Sequence, residues 1–104
     1  MNREITVNAM EITDHPALDP ITVFWEDFSP GKGQVTIICY GAAWTAYWGG
    51  MSGQTVKQFF SQCNNDYLID RLAITQFMKP NKGHKIYLGR IIDAIKSEIA
   101  EPKS

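Results

Sequence analysis

Cysteine and histidine are scarce in this 104-residue chain, and each scarcity removes a class of function. Cys39 and Cys63 stand far apart with no Cys-x-x-Cys pair, and His15 and His84 are equally separated. No metal-ligand spacing therefore exists, and no disulfide framework. Two reduced cysteines packed as small hydrophobes are the expectation, with no metal and no cofactor. No apolar run approaches the roughly 20 residues that span a membrane. Arg3, Glu4 and Asn8 interrupt the apolar core that a secretion signal needs, so a cytosolic protein is expected. A dominant charge of one sign is also missing: the net charge is −1. That balance hides a gradient, from −5 over residues 1–30 through +1 over 31–78 to +3 over 79–104. Without a domain-wide positive field, diffuse nucleic-acid binding loses its main driving force. The basic set Lys79, Lys82, Lys85 and Arg90 reads first as a solvated helix start.

What is present is concentrated in residues 34–51, QVTIICYGAAWTAYWGGM, a stretch with no charge and with two of the three tryptophans. Its β-branched and aromatic residues suit a pleated sheet. One reading, which we favour on sequence, is a single long strand bent at Gly41, where a missing Cβ relieves crowding. That strand would present Thr36, Ile38, Tyr40, Ala42, Trp44, Ala46 and Trp48 on one face. The other reading is a hairpin turning at Gly41-Ala42, although Ala tolerates positive φ poorly. The rings have two readings as well. Helices packed on them would make them core, the commoner fate of large aromatics. Left open, Trp25, Trp44, Tyr47 and Trp48 would form a platform for a protein partner.

The rest of the chain supplies the context. Glu4 to Ile12 alternates as a strand, Asp14 to Pro20 is a proline-bearing loop, and Ile21 to Phe28 is a second strand. Pro30-Gly31 suits the centre of a type II turn leading into the central stretch. Beyond it the period becomes helical. Ser52 can cap a helix over Gln54 to Cys63, Asn65 or Asp66 a second over Tyr67 to Ile74. After a break at Lys79 to Gly83, a third runs from about His84 to Ala100 with the stripe Leu88, Ile91, Ile92, Ile95 and Ile99. The tail from Pro102 is expected to fray. Strands first and helices last predict one α+β domain over residues 1–104, ordered from about 3 to 100. Its form is a three- to four-stranded antiparallel meander, followed by two short helices and one longer C-terminal helix packed on one sheet face.

Few groups of residues could carry chemistry. Gly49 to Gly53 joins a strand to a helix, where backbone N–H groups can hold a phosphate. Ser52 and Gly53, with Lys82 and Lys85, are the candidate anion contacts, although the glycine spacing matches no phosphate-loop motif. A nucleophile at Ser52 or Cys63 would need His15 or His84 beside it. Glu26 and Asp27 are adjacent, so they point to opposite faces and make no acid–base dyad.

The residues Cys39-Tyr40-Gly41, Ala43-Trp44, Ala46 to Met51 and Phe59-Phe60 make up a motif. With them, Ile5 to Leu72 resembles small proteins encoded in enterobacterial phages and prophages. The resemblance implies a bacterial cytosol and an accessory role, and brings no catalytic residues with it. The leading expectation is therefore a non-enzymatic accessory protein acting on a host or phage protein, with self-association through an edge strand as a variant. A single-stranded nucleic-acid binder using Lys82, Lys85 and Arg90 beside stacked rings is the alternative. A small enzyme at the Gly49–Gly53 corner comes last.

Overall fold

A computed structural model of the chain describes residues 4–74 and 81–100. The expected break at Lys79-Pro80, the tail from Pro102 and the boundary at Arg3 lie outside the described residues. Four strands come first: β1 (Thr6–Ile12), β2 (Ile21–Ser29), β3 (Lys32–Cys39) and β4 (Ala42–Trp48). Three helices follow: α1 (Val56–Gln62), α2 (Asn65–Ala73) and α3 (Lys82–Ala100). The strands pair antiparallel in sequence order, so β1 and β4 are the sheet edges. The α+β meander with helices at its end is the expected architecture.

The central stretch is a hairpin and not a bent strand. Tyr40 (φ 53°) and Gly41 (φ 78°) form its two-residue turn, and Cys39 pairs with Ala42. Positive φ at both central positions is the type I′ geometry, whose twist matches that of the strands it joins. The turn sits one residue earlier than Gly41-Ala42. Gly41 then takes the second position at no cost, while Tyr40 accepts a strained left-handed conformation worth about 1 kcal/mol. A two-residue turn also switches parity. The buried side chains are Val35, Ile37 and Cys39 on β3 but Trp44, Ala46 and Trp48 on β4. Ile38 and Thr36 therefore face away from Trp44, opposite to the continuous-strand expectation. Pro30-Gly31 does make the turn expected of it, with Gly31 at φ 80°.

Each helix has a local reason to start where it does. Thr55, and not Ser52, caps α1: its hydroxyl accepts from the Gln58 amide, while the Gln58 side chain accepts from the Thr55 amide. That is a reciprocal capping box. Ser52 instead sits in a left-handed turn with Gly53, at φ 55° and 81°, closed by Gln54 N–H to Met51 O. Asn64 caps α2 through the Tyr67 amide at 2.8 Å, one residue ahead of the expected Asn65. Asn81 and His84 exchange side-chain–backbone bonds at the start of α3, so that helix begins two residues before His84.

All three helices lie on one face of the sheet, and the tryptophans receive them. Trp25 on β2 meets Phe60 of α1 edge-on at 5.2 Å between centroids. Trp48 on β4 meets Phe59 of α1 at 5.3 Å, and Trp44 meets Tyr87 of α3 at 6.2 Å. Leu88, Ile91, Ile92 and Ile95 of α3 are fully buried, and Ile99 packs partly. Each such side chain contributes about 1.5–3 kcal/mol by leaving water. The indole N–H groups of Trp25 and Trp44 are buried without a hydrogen-bond partner. That costs about 1–3 kcal/mol each. A ring burying about 150–250 Å², at about 25 cal/mol per Å², outweighs the cost.

Candidate functional site

The structure divides the four aromatic candidates into two groups. Trp25, Trp44 and Trp48 are 1%, 2% and 7% exposed and belong to the core under the helices. Tyr47 points to the opposite face and is 48% exposed. Alternation along β4 explains the division of its rings: Trp44 and Trp48 share the inward face, and Tyr47 takes the outward one.

That opposite face carries Val7, Ile38 and Tyr47, three of the exposed large hydrophobics among the described residues. The strand register aligns its rows. Val7, Glu26, Gln34 and Tyr47 form one row, and Ala9, Phe24, Thr36 and Thr45 the next. Glu11, Thr22, Ile38 and Ala43 form a third. Val7, Ile38 and Tyr47 are exposed, and Phe24 and Phe28 are half-buried among them. Phe28 stacks on Tyr47 at 6.0 Å with an interplanar angle of 29°. Glu26 accepts a hydrogen bond from the Gln34 side chain at 2.8 Å across the strands. This meander leaves one sheet face wet, as antiparallel sheets commonly do.

Tyr47 is held from behind as well. The Arg71 guanidinium of α2 donates to the Tyr47 carbonyl and lies over the Trp48 ring, 5.8 Å from its centroid. Trp48 in turn donates its indole N–H to the Tyr67 hydroxyl at 2.8 Å. Tyr47, Arg71 and Tyr67 thus form a partly exposed corner on the β4 edge, backed by a buried tryptophan. The sequence reading places none of Arg71, Tyr67 and Phe28 among the candidate contacts. The i, i+4 spacing of Tyr67 and Arg71 on α2 was the available signal.

The candidate anion contacts are dispersed. Ser52 and Gly53 lie in the turn before α1, and Gly53 borders a cleft of about 310 Å³ that no lysine lines. The N-terminal amide of α1 is already taken, since Asp27 Oδ1 accepts from Val56 N–H at 2.8 Å. Lys82 and Lys85 belong to the first turn of α3, where Lys85 pairs with Asp70 of α2 at 3.7 Å. Glu26 and Asp27 do face opposite sides, one bonded to Gln34 and the other to α1.

The two cysteines have different surroundings. Cys39 is buried, with Tyr87 Oη 3.3 Å from its sulfur. That hydrogen bond, with burial, pushes the Tyr87 hydroxyl up to about 12. Cys63 ends α1, and its carbonyl accepts from the Lys96 ammonium. Burial pushes the Cys63 thiol up, and Lys96 partly opposes this. His84 lies about 18 Å along α3 from Lys96, twelve residues at 1.5 Å each, and is placed by its capping bonds to Asn81. Among the described residues no group of three or more His, Cys, Asp or Glu could hold a metal ion. No described helix is long and apolar enough to cross a membrane.

No curated protein and no solved structure matches the chain. The model of a phage protein family, described simply as a phage family, matches residues 1–104. The match spans every element described above, both sheet faces and all three helices, and the chain belongs to this phage family.

Proposed function

We propose that this phage-family protein is a non-enzymatic accessory protein that acts by binding another protein, with the outer sheet face as its contact surface. The observation that supports this is the asymmetry of the sheet. One face is covered by three helices, while the other presents Val7, Phe24, Phe28, Ile38 and Tyr47 to solvent. Interfaces draw most of their energy from a few rigid aromatic anchors. Tyr47 is stacked on Phe28 and tied at its backbone by Arg71, so binding freezes little further rotamer freedom. Glu11 and Glu26 stand on the same face and would meet a nucleic-acid backbone unfavourably. The partner belongs to the infected bacterial cell, either host or phage.

The test is affinity capture of the tagged full chain from phage-infected cells, read by mass spectrometry. Tyr47→Ala and Ile38→Asp should each lower recovery of the captured protein at least tenfold, about 1.4 kcal/mol, with the melting temperature nearly unchanged. Equal recovery by folded variants of both kinds would contradict the assigned surface. A salt-dependent shift of a single-stranded oligonucleotide at low salt would instead favour a nucleic-acid role.

A further inference from the structure

The two sheet edges are treated differently. On β4, Arg71 covers the outward carbonyl of Tyr47. On β1 the strand keeps an unbroken register with β2 from Thr6 to Ile12, with no bulge, proline or lysine. Those are the usual devices that blunt an edge. Hydrogen-bonded pairs alternate along an antiparallel ladder. Counting in twos from the Cys39–Ala42 pair at the turn, through β3 and β2, leaves Val7, Ala9 and Glu11 with backbone groups pointing away from the sheet. Val7 is 49% exposed, and only Ile12 of the seven strand residues is buried.

A cleft lies at each end of this strand. The one of about 310 Å³ holds Glu4, Thr6 and Asp27 at its start. The one of about 300 Å³ holds Ile12, Asp14, His15, Asp93 and Glu98 at its end. Neither is lined by a lysine or arginine. Seven residues at about 3.3 Å each put the two acidic ends roughly 20 Å apart.

We propose that β1 accepts an extended segment of a partner protein by strand addition. The segment has alternating apolar residues in the middle and a basic residue toward each end. Backbone bonds to Val7, Ala9 and Glu11 supply the affinity, and the two acidic ends set the charge preference. The charge pattern also selects against a second copy of this chain. An antiparallel pair of β1 strands would bring Glu4, Glu11 and Asp14 of both copies to one seam. This inference rests on the reading of the chain as a protein-binding module and names the partner's chemistry.

The probe is a labelled peptide, Lys-Val-Thr-Val-Thr-Val-Lys, titrated into the full chain by fluorescence anisotropy and amide NMR. Shifts should centre on Val7, Ala9 and Glu11. Binding should weaken tenfold or more when both peptide lysines become glutamates. Ala9→Pro removes an outward N–H without touching the β1–β2 ladder, so it should abolish binding while the far-ultraviolet circular dichroism is retained. If that variant does not fold, a peptide N-methylated at alternate amides should fail to bind the native chain. Shifts centred elsewhere, no binding at millimolar peptide, or equal binding of the glutamate peptide would overturn the proposal. So would sedimentation showing a dimer that Ala9→Pro dissociates. Tyr47→Ala should leave peptide binding intact. Loss of the peptide site with Tyr47-dependent capture preserved would remove strand addition alone and leave the protein-binding function standing.

Discussion

Trp48 donates its indole N–H to the Tyr67 hydroxyl at 2.8 Å, and that bond joins the last strand to the second helix. The tryptophan ring lies inside the core, with Phe59 on one side and the Arg71 guanidinium over it. Tyr67→Phe keeps the ring but leaves the indole N–H without its acceptor. It should cost about 1 kcal/mol, seen as a lower urea midpoint with an unchanged m-value.

Asp27 has the same kind of joining role two strands away, in the same cross-strand row as Trp48. Its carboxylate accepts the first amide of α1, while its neighbour Glu26 faces outward to Gln34. Asp27→Ala should cost about 1–2 kcal/mol in chemical denaturation. Glu26→Ala should stay within about 0.5 kcal/mol. Equal effects would contradict the opposite orientations of the two acids.

Tyr87 should ionise late. Its bond to Cys39 and its burial push it up to about 12 from an ordinary 10.0. The folded state then holds a proton that the unfolded chain has lost. The contribution is fully present below pH 10 and disappears as pH rises through about 12. Ultraviolet titration at 295 nm should show this late step. Tyr87→Phe should remove it and flatten the loss of stability in that window.

Cys63 should alkylate slowly. Burial pushes its thiol up, and the thiolate is the reactive form. Lys96→Met removes the charge that lowers the thiol, so iodoacetamide labelling of Cys63 should slow further at pH 8. Faster labelling would contradict the assigned cause, provided the variant's melting temperature is unchanged.

The helix layer was legible in the sequence because its signals are local. The Ile stripe of α3 repeats at helical spacing, and Leu88, Ile91, Ile92 and Ile95 are buried as that spacing requires. The capping box Thr55-Val56-Lys57-Gln58 is equally local, but Ser52 offers a competing capping hydroxyl three residues earlier, at the strand-to-helix corner. The hairpin was harder. Its turn demands positive φ from Tyr40, a residue that seldom adopts it, so no glycine-led pattern marked the right position. The parity change from Val35, Ile37 and Cys39 to Trp44, Ala46 and Trp48 was the usable sign. The outer-face pairing of Phe28 with Tyr47 depends on that register across three strands, and no local pattern reports it.

The three tryptophans seat the helices, which leaves the opposite sheet face uncovered. Acrylamide quenching of tryptophan emission tests this most directly. Trp25, Trp44 and Trp48 should give blue-shifted emission, quenched far less than free indole, and urea should remove the protection in one cooperative step with the loss of helix. Native emission quenched as strongly as that of the unfolded chain would place the rings in water and contradict the assignment of both sheet faces.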